Sequence, residues 1–458
     1  MNSHVLFADK TALEAEIQRV GAPIRFEPDI RVALSPTAVA GRPVGNRLAI
    51  HPMEGCDGTL DGAPDELTIR RWARFGAGGA KMLWGEAVAI DPEFRANARQ
   101  LLMSDRNLAA LEQLVTTART AHGPAGDFLI GLQLTHSGRW SYPTPVVMFH
   151  DPALRHNGRI ITDDELDRLQ DRYVAAALRT RDIGCDFVDI KQCHRYLLSE
   201  MLAARTRPGK YGGSIENRTR FVREVLERLA SEAPQLIRGT RMNFFDGVPF
   251  AKHPATGIGE PVPGATENYL EADEAVEALR LFAQAGLQLV NVTAGCPYYN
   301  PHVGRPADRE PPDGYGAPES GFTGVARHFA LAEAAHRACP GVAVVGTGYS
   351  YLRHYALEAG EANLRDDRVT LVGLGRGAIA YPDFARDVTM EKKKACYTVS
   401  YCTTLMRSKG NELGQYATGC VPRDPVYAKL LQEIQKEAKR TAAGAATPAD
   451  VANQGKVD

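Results

Sequence analysis

Two glycine-rich runs in the last third of the chain have the residue types to cradle a phosphate: Gly346-Thr347-Gly348 and Gly373-Leu374-Gly375-Arg376-Gly377. Small residues let backbone N–H groups approach an anion, and an arginine adds a bidentate clamp. Taken singly, either run is more often a plain turn between a strand and a helix. Together, each at the end of an apolar run and one carrying Arg376, they point to a bound phosphate. The second run is not a dinucleotide fingerprint. It lacks the G-x-G-x-x-G spacing and follows the last strand instead of the first.

The elements that must position these loops alternate along the chain. Short apolar, β-rich runs recur at 47–50, 81–84, 128–134, 187–190, 237–242, 289–292, 342–345 and 369–374. Segments of helical spacing lie between them. Thr162-Asp163-Asp164-Glu165 is a capping box, followed by Leu166, Leu169, Tyr173, Val174 and Ala177 on one face. Val276, Leu279, Phe282 and Ala283 form another apolar face, stopped by Gly286, and Leu67, Ile69, Trp72 and Phe75 a third. Eight strands, each followed by helix-forming sequence, predict an α/β fold, a TIM (β/α)₈ barrel, with a large doubly wound sheet as the alternative. Runs that are apolar throughout suit strands buried on both faces. Loops after the seventh and eighth strands of a barrel are the usual phosphate site, in agreement with the glycine runs. Two long polar insertions, 247–266 and 295–324, would overhang the same mouth. The expected organisation is an N-terminal arm over 1–40, the barrel over 41–395, and a short C-terminal extension over 396–458 whose last twenty or so residues read as a frayed tail.

Composition sets broad limits. The chain has 458 residues and a formal net charge of −1, so nothing electrostatic favours nucleic acid or an anionic membrane as partner. No apolar run approaches the roughly 18 residues of a membrane span, and the N-terminus lacks a basic-then-apolar leader. A cytoplasmic location is expected, with homo-oligomerisation left open. Eight cysteines, most of them isolated (Cys56, Cys185, Cys193, Cys296, Cys339), suit buried thiols better than a disulfide framework.

The segments NRLAIHPMEG, GLQLTHSGRW, DFVDIKQCHRYLLSEML, KYGGSIENRTRF and LVGLGRGAIAYPDFA resemble, in order and spacing, the Old Yellow Enzyme and 2,4-dienoyl-CoA reductase family of NAD(P)H:flavin oxidoreductases. The resemblance spans about residues 45–390. It implies an FMN barrel with NADH or NADPH as electron donor. By the same resemblance Pro52, Met53 and Ala87 lie beside the flavin, Gln133 hydrogen-bonds its pyrimidine ring, and Arg241 lies at its N1/O2 edge. Thr347, Gly348, Gly375 and Arg376 would hold the phosphate. Glu54 stands where relatives often carry Thr or Cys.

On the substrate side, relatives place a His/His or His/Asn pair three residues apart; here the pair is Lys191 and His194. An ammonium can polarise a carbonyl at least as strongly as imidazole, and Tyr196 matches a proton donor used by several members. Tyr299 and His302, in CPYYNPHVGRP, are expected to reach the substrate, with Tyr298 adding aromatic surface. Cys396, Cys402 and Cys420 do not reproduce the C-x₂-C-x₃-C spacing of the dienoyl-CoA reductase branch, so no iron–sulfur cluster and no metal are expected. The implied reaction is ping-pong reduction of an activated C=C bond in a small α,β-unsaturated carbonyl compound. A flavin-dependent demethylase or dehydrogenase on the same fold is the alternative, and a Schiff-base lyase using Lys191 a more distant one.

Overall fold

The computed structural model describes residues 7, 9–154, 157–310, 314–388, 394–407 and 417–445. Eight parallel strands close into a barrel. They are β1 (Leu48–Ile50), β2 (Met82–Ala89), β3 (Leu129–Thr135), β4 (Phe187–Ile190), β5 (Ile237–Asn243), β6 (Leu289–Thr293), β7 (Ala343–Gly346) and β8 (Leu371–Leu374). Each is followed by a helix: α1 (Glu66–Ala77), α2 (Leu108–His122), α3 (Asp163–Asp182), α4 (Ile215–Glu232), α5 (Ala272–Gln284), α6 (Gly321–Ala338), α7 (Ala356–Arg365) and the single turn α8 (Arg376–Ala380). The expected TIM barrel is therefore the fold.

Alternation along each strand divides the interior into layers. Ala49, Met82, Trp84, Leu129, Phe187, Ile237, Leu289, Val345 and Leu371 fill the lower barrel as one apolar cluster. The residues between them, such as Val188, Ile190, Val290 and Val344, pack outward beneath the helices. Val39 and Val44 join the inner cluster from an antiparallel pair, Thr37–Val39 with Arg42–Val44, which plugs the N-terminal end of the barrel. That pair straddles the boundary expected at residue 40, and the helix Lys10–Arg19 precedes it.

Several local details depart from the periodicity. β2 continues past Trp84 to Ala89 because its pairing with β3 shifts register between Trp84 and Ala87, which takes Glu86 out of the inward row. In α1 the buried face carries Arg71 with Trp72 and Phe75, while Ile69 is exposed and Leu67 packs instead on the C-terminal helix. That helix, Pro425–Ala445, occupies the start of the stretch expected to fray; the rest of that stretch lies outside the described residues. α3 has its capping box, and Leu166, Leu169, Tyr173, Val174 and Ala177 are its buried face.

Phe187 is fully buried and meets Trp84 edge-on, with ring centroids 4.9 Å apart. Phe187→Ala should cost about 3–5 kcal/mol of stability in guanidinium unfolding, because the closed barrel leaves little room to collapse. A cost under about 1 kcal/mol would contradict this packing.

Candidate active site

Above the apolar layer the inward positions become polar, and they bond to one another around the barrel. Asp189 of β4 is buried and accepts three hydrogen bonds: from Trp84 Nε1 of β2 at 2.7 Å, Gln133 Nε2 of β3 at 2.5 Å and the Arg241 backbone N–H of β5 at 2.6 Å. Burial raises its carboxyl pKa, and the three donors with the Arg241 charge act the other way. On the opposite side Thr347 Oγ1 donates to Val292 O at 2.6 Å, so it must accept from His51 Nε2 at 3.1 Å. That leaves His51 Nδ1 to accept from Asn291 Nδ2 at 2.9 Å. Burial, reinforced by the Arg241 and His328 charges, keeps His51 neutral, as this tautomer requires.

A single cavity opens above this layer. Pro52, Met53, Glu54, Ala87, Gln133, Lys191, His194, Tyr196, Arg241, Thr347, Gly348, Gly375 and Arg376 all line it. At one end Arg376 is buried, donates one N–H to Pro306 O at 2.5 Å and leaves Nη1 without a partner. A buried guanidinium with an unused donor calls for an acceptor, and a phosphate fits. The adjoining Gly348 has φ +104°, a backbone that side chains rarely adopt, and a Cβ at Gly375 would lie 3.0 Å from Met53 Sδ. Arg241 is likewise buried with Nε unpartnered. The residues present therefore fit a phosphorylated, electron-accepting ring.

The other end carries the substrate-side groups. Lys191 is buried, with Nζ 3.6 Å from the centroid of the Tyr196 ring. Burial lowers its pKa, while the nearby Cys193 and Glu54 charges raise it. The Tyr196 hydroxyl meets that of Tyr298 at 3.0 Å, and Tyr298 is partly open to solvent. His194 is held neutral by burial and by the charges of Arg241, Lys191 and Arg305. Its backbone is left-handed at φ 65°, as is that of Arg195 at φ 57°. The fully buried Arg195 side chain anchors this unusual pair, donating to Asp246 at 3.1 Å and to Asn268 O at 2.9 Å between the rings of Phe149 and Tyr269. Two residues expected here lie elsewhere. Tyr299 packs with Leu154 and Cys296 in a separate cluster, and His302 bonds Tyr315 OH at 2.8 Å in a neighbouring cleft. Proline at 301 starts a short turn, Pro301–Gly304, that carries His302 away, and it is Tyr298 that faces the cavity.

Several lining residues carry no strong signal in the sequence. Cys56, Asn97, Arg305, Thr403, Met406, Arg407 and Thr418 come from loops and from the C-terminal extension. The extension is tied down by the Thr418 N–H to Gly55 O at 2.7 Å and by Asp424, which pairs with Arg70 and Arg74 of α1. A buried network also braces the β1 loop: Glu86 accepts from the Gly55 N–H at 2.7 Å and from Arg71, which pairs in turn with Asp57. Burial raises the Cys420 thiol pKa, and the neighbouring Cys396 and Cys402 add to the rise. Among the described residues no group of three or more His, Cys, Asp or Glu side chains is placed to hold a metal ion.

A parallel barrel whose mouth pairs a phosphate-seeking arginine with a buried glutamine–arginine edge is the class of enzyme that seats a phosphorylated redox cofactor. Residues 35–250 match the NADH:flavin oxidoreductase / NADH oxidase family. The NADPH dehydrogenase of Geobacillus thermodenitrificans is 28% identical over 245 residues, which are 48% of this chain and 68% of that protein. The NADH oxidase of Thermoanaerobacter brockii is 26% identical over 268 residues, 55% of this chain and 37% of that protein. Among solved structures, a 2-naphthoyl-CoA reductase superposes with a TM-score of 0.68 at 16% identity, over 87% of this chain and 58% of its own. The Old Yellow Enzyme homologue from Zymomonas mobilis superposes with a TM-score of 0.57 at 20% identity, over 78% of this chain and 92% of its own. These two share the fold. These likenesses support an NAD(P)H:flavin oxidoreductase with FMN as its cofactor. No helix among the described residues is long and apolar enough to cross a membrane.

Among the described residues Glu54 is the one acid lining the cavity. Its carboxyl is pushed up to about 7 by burial and by Glu86, against the Lys191 charge and hydrogen bonds from Asn97 and Cys56. The folded chain thus holds a proton that an unfolded glutamate releases near 4.5. Its contribution to stability is full below that value and fades as pH rises to about 7. The melting temperature of the wild type, measured relative to Glu54→Gln, should therefore drop between pH 5 and pH 8; a difference independent of pH would contradict the assignment.

Proposed function

We propose that the enzyme reduces an activated C=C bond of a small α,β-unsaturated carbonyl compound with electrons from NAD(P)H. The observation that carries this reading is the meeting of Lys191, His194 and Tyr196 on the wall of a cavity that also holds Arg241 and Arg376. Bound FMN would supply the hydride relay between NAD(P)H and the substrate carbon, seated by Arg376, Thr347, Gly348 and Gly375 at its phosphate, and by Gln133, Arg241, Ala87, Pro52 and Met53 around its ring.

The chain's own residues would do the polar work. The Lys191 ammonium and the neutral His194 ring donate to the carbonyl oxygen and stabilise the negative charge that gathers there. A charged donor beside a neutral one suits a dry site, where a second full cation would add repulsion and desolvation cost. Burial and the neighbouring Tyr298 keep the Tyr196 phenol protonated, so it holds the proton that the α-carbon needs. Tyr298, bonded to it and reaching solvent, returns that proton between turnovers. Tyr298 also lies against Trp140, ring centroids 4.2 Å apart, which gives the mouth an aromatic wall for a flat substrate. The same wall would suit an amine dehydrogenase or demethylase, the second reading, but the Lys191 ammonium repels a cationic amine.

Lys191→Ala should keep its flavin yet reduce cyclohexenone at least about 100-fold more slowly, with NADPH oxidation by the flavin unchanged. Tyr196→Phe should lower kcat by about 100-fold with little change in KM. Enone turnover unaffected by Lys191→Ala would remove the proposed role.

A further inference from the structure

We infer that Glu54 is a positioning residue for Lys191: as a neutral acid it leaves the ammonium free to grip the substrate carbonyl oxygen, and as a carboxylate it draws the ammonium onto itself. This rests on the reading of the cavity as an ene-reductase site and adds the group that sets the pH range over which that site works.

Two polar groups at the substrate end have capacity to spare. Lys191 Nζ lies over the Tyr196 ring, and among the described residues no hydrogen bond or ion pair holds it. Glu54 is held through Oε1, which accepts from Asn97 Nδ2 and from the Cys56 thiol. Its Oε2 has no hydrogen-bond partner among the described residues. Asn97 thus fixes the carboxyl while leaving one oxygen open. Both side chains line the same cavity, and neither free atom is sealed away from it. The groups that bear most on Glu54 are Lys191 of β4, Glu86 of β2, Asn97 of the loop after β2 and Cys56 of its own loop. Glu54 acts in turn on the Tyr196 and Tyr298 phenols. Arg241, Arg305, Arg376 and Arg407 also line the cavity and bear on Glu54 less. Lys191 faces Cys193, Arg241 and Asp189 besides Glu54.

Charge completes the case. Burial holds the Tyr196 and Tyr298 phenols and the Cys56 thiol protonated through neutral pH, raises Cys193 to about 11 and keeps His194 uncharged. Glu54, pushed up to about 7, changes charge within the neutral range. Below that value the carboxyl is neutral, and the Lys191 charge is left for the oxygen on which negative charge gathers. Above it the carboxylate is a charge-assisted acceptor stronger than a neutral carbonyl, and a partly dry cavity strengthens the pairing further. The flexible four-carbon stem of a lysine lets one ammonium serve either partner. The mutual influence has the matching sign on both sides, since Lys191 lowers the Glu54 pKa and Glu54 raises that of Lys191.

The pairing can be read in pH-difference infrared spectra of the FMN-loaded protein, where subtracting the Glu54→Gln form isolates the Glu54 carboxylic-acid band. That band should vanish around pH 7 in the wild type. In both Lys191→Met and Lys191→Ala it should vanish at least about one pH unit higher. A midpoint that stays put in both variants would overturn the inference. In stopped flow, oxidation of the pre-reduced holoenzyme by cyclohexenone should slow at least about tenfold between about pH 6 and pH 9. Glu54→Gln should hold one rate across that range, well above the rate of Lys191→Ala. A fall that persists in Glu54→Gln would assign it to proton loss from Lys191 itself and overturn the inference. Rates in Glu54→Gln as slow at every pH as those of Lys191→Ala would make Glu54 the proton donor and overturn it as well. A moved infrared midpoint with no enone reduced at any pH would keep the pair and sink the ene-reductase reading. Enone reduction with a flat profile in the wild type would leave ene reduction standing and sink the role given to Glu54.

Discussion

The mouth of this barrel depends on one buried carboxylate. Asp189 sits at an inward position of β4 and gathers N–H donors from β2, β3 and β5, so four neighbouring strands present their site residues in a common frame. A bond from a neutral donor to a buried charge is worth about 1.5–3 kcal/mol, and losing any one would leave polar atoms stranded. The same bonds aim the chemistry. Gln133 is oriented through its amide nitrogen, Arg241 through its backbone, and Lys191 stands two residues beyond Asp189 on the same face of the strand. On the far side the His51–Asn291–Thr347 chain does the corresponding work for β1, β6 and β7 with uncharged groups.

Above this frame the substrate side is assembled from segments that could not hold their shape alone. Two successive left-handed residues, His194 and Arg195, are costly for side chains with a Cβ, about 1–2 kcal/mol apiece. They persist because the Arg195 guanidinium is sealed among Asp246, Asn268 and two aromatic rings. That arrangement turns His194 and Tyr196 toward the cavity while their intervening neighbour points away from it. The C-terminal extension closes the remaining side, held to α1 by Asp424 and to the β1 loop by Thr418. A segment outside the barrel thereby contributes Thr403, Met406, Arg407 and Thr418 to the site.

The barrel was legible because eight short apolar runs spaced by amphipathic helices admit few packings, and each run lies at or within a residue or two of an observed strand, with β2 extending further. The phosphate end was legible for a different reason: glycines and Arg376 at the ends of the last two strands have a physical use that does not depend on distant contacts. The substrate end was harder to read. Tyr298, Tyr299 and His302 share one loop, and the choice of which faces inward depends on the turn that starts at Pro301, which residue types do not reveal. Asp189 was overlooked inside an apolar run, although an acid two positions before Lys191 on a buried strand was a usable signal. His51 was hidden in the same way, as a polar residue continuing the inward row of β1. The lining residues of the C-terminal extension had no local mark at all, since their role comes from docking across the whole width of the mouth.

Seating of the FMN phosphate beyond β7 and β8 is the claim on which the rest depends. It is tested most directly by comparing the affinities of the cofactor-free protein for FMN and for riboflavin, which differ only in the phosphate, by fluorescence quenching. The account predicts that FMN binds at least about 100-fold more tightly, the advantage expected of a phosphate held by a buried guanidinium and close-approaching backbone. Equal affinity for the two flavins, or no uptake of either, would contradict it.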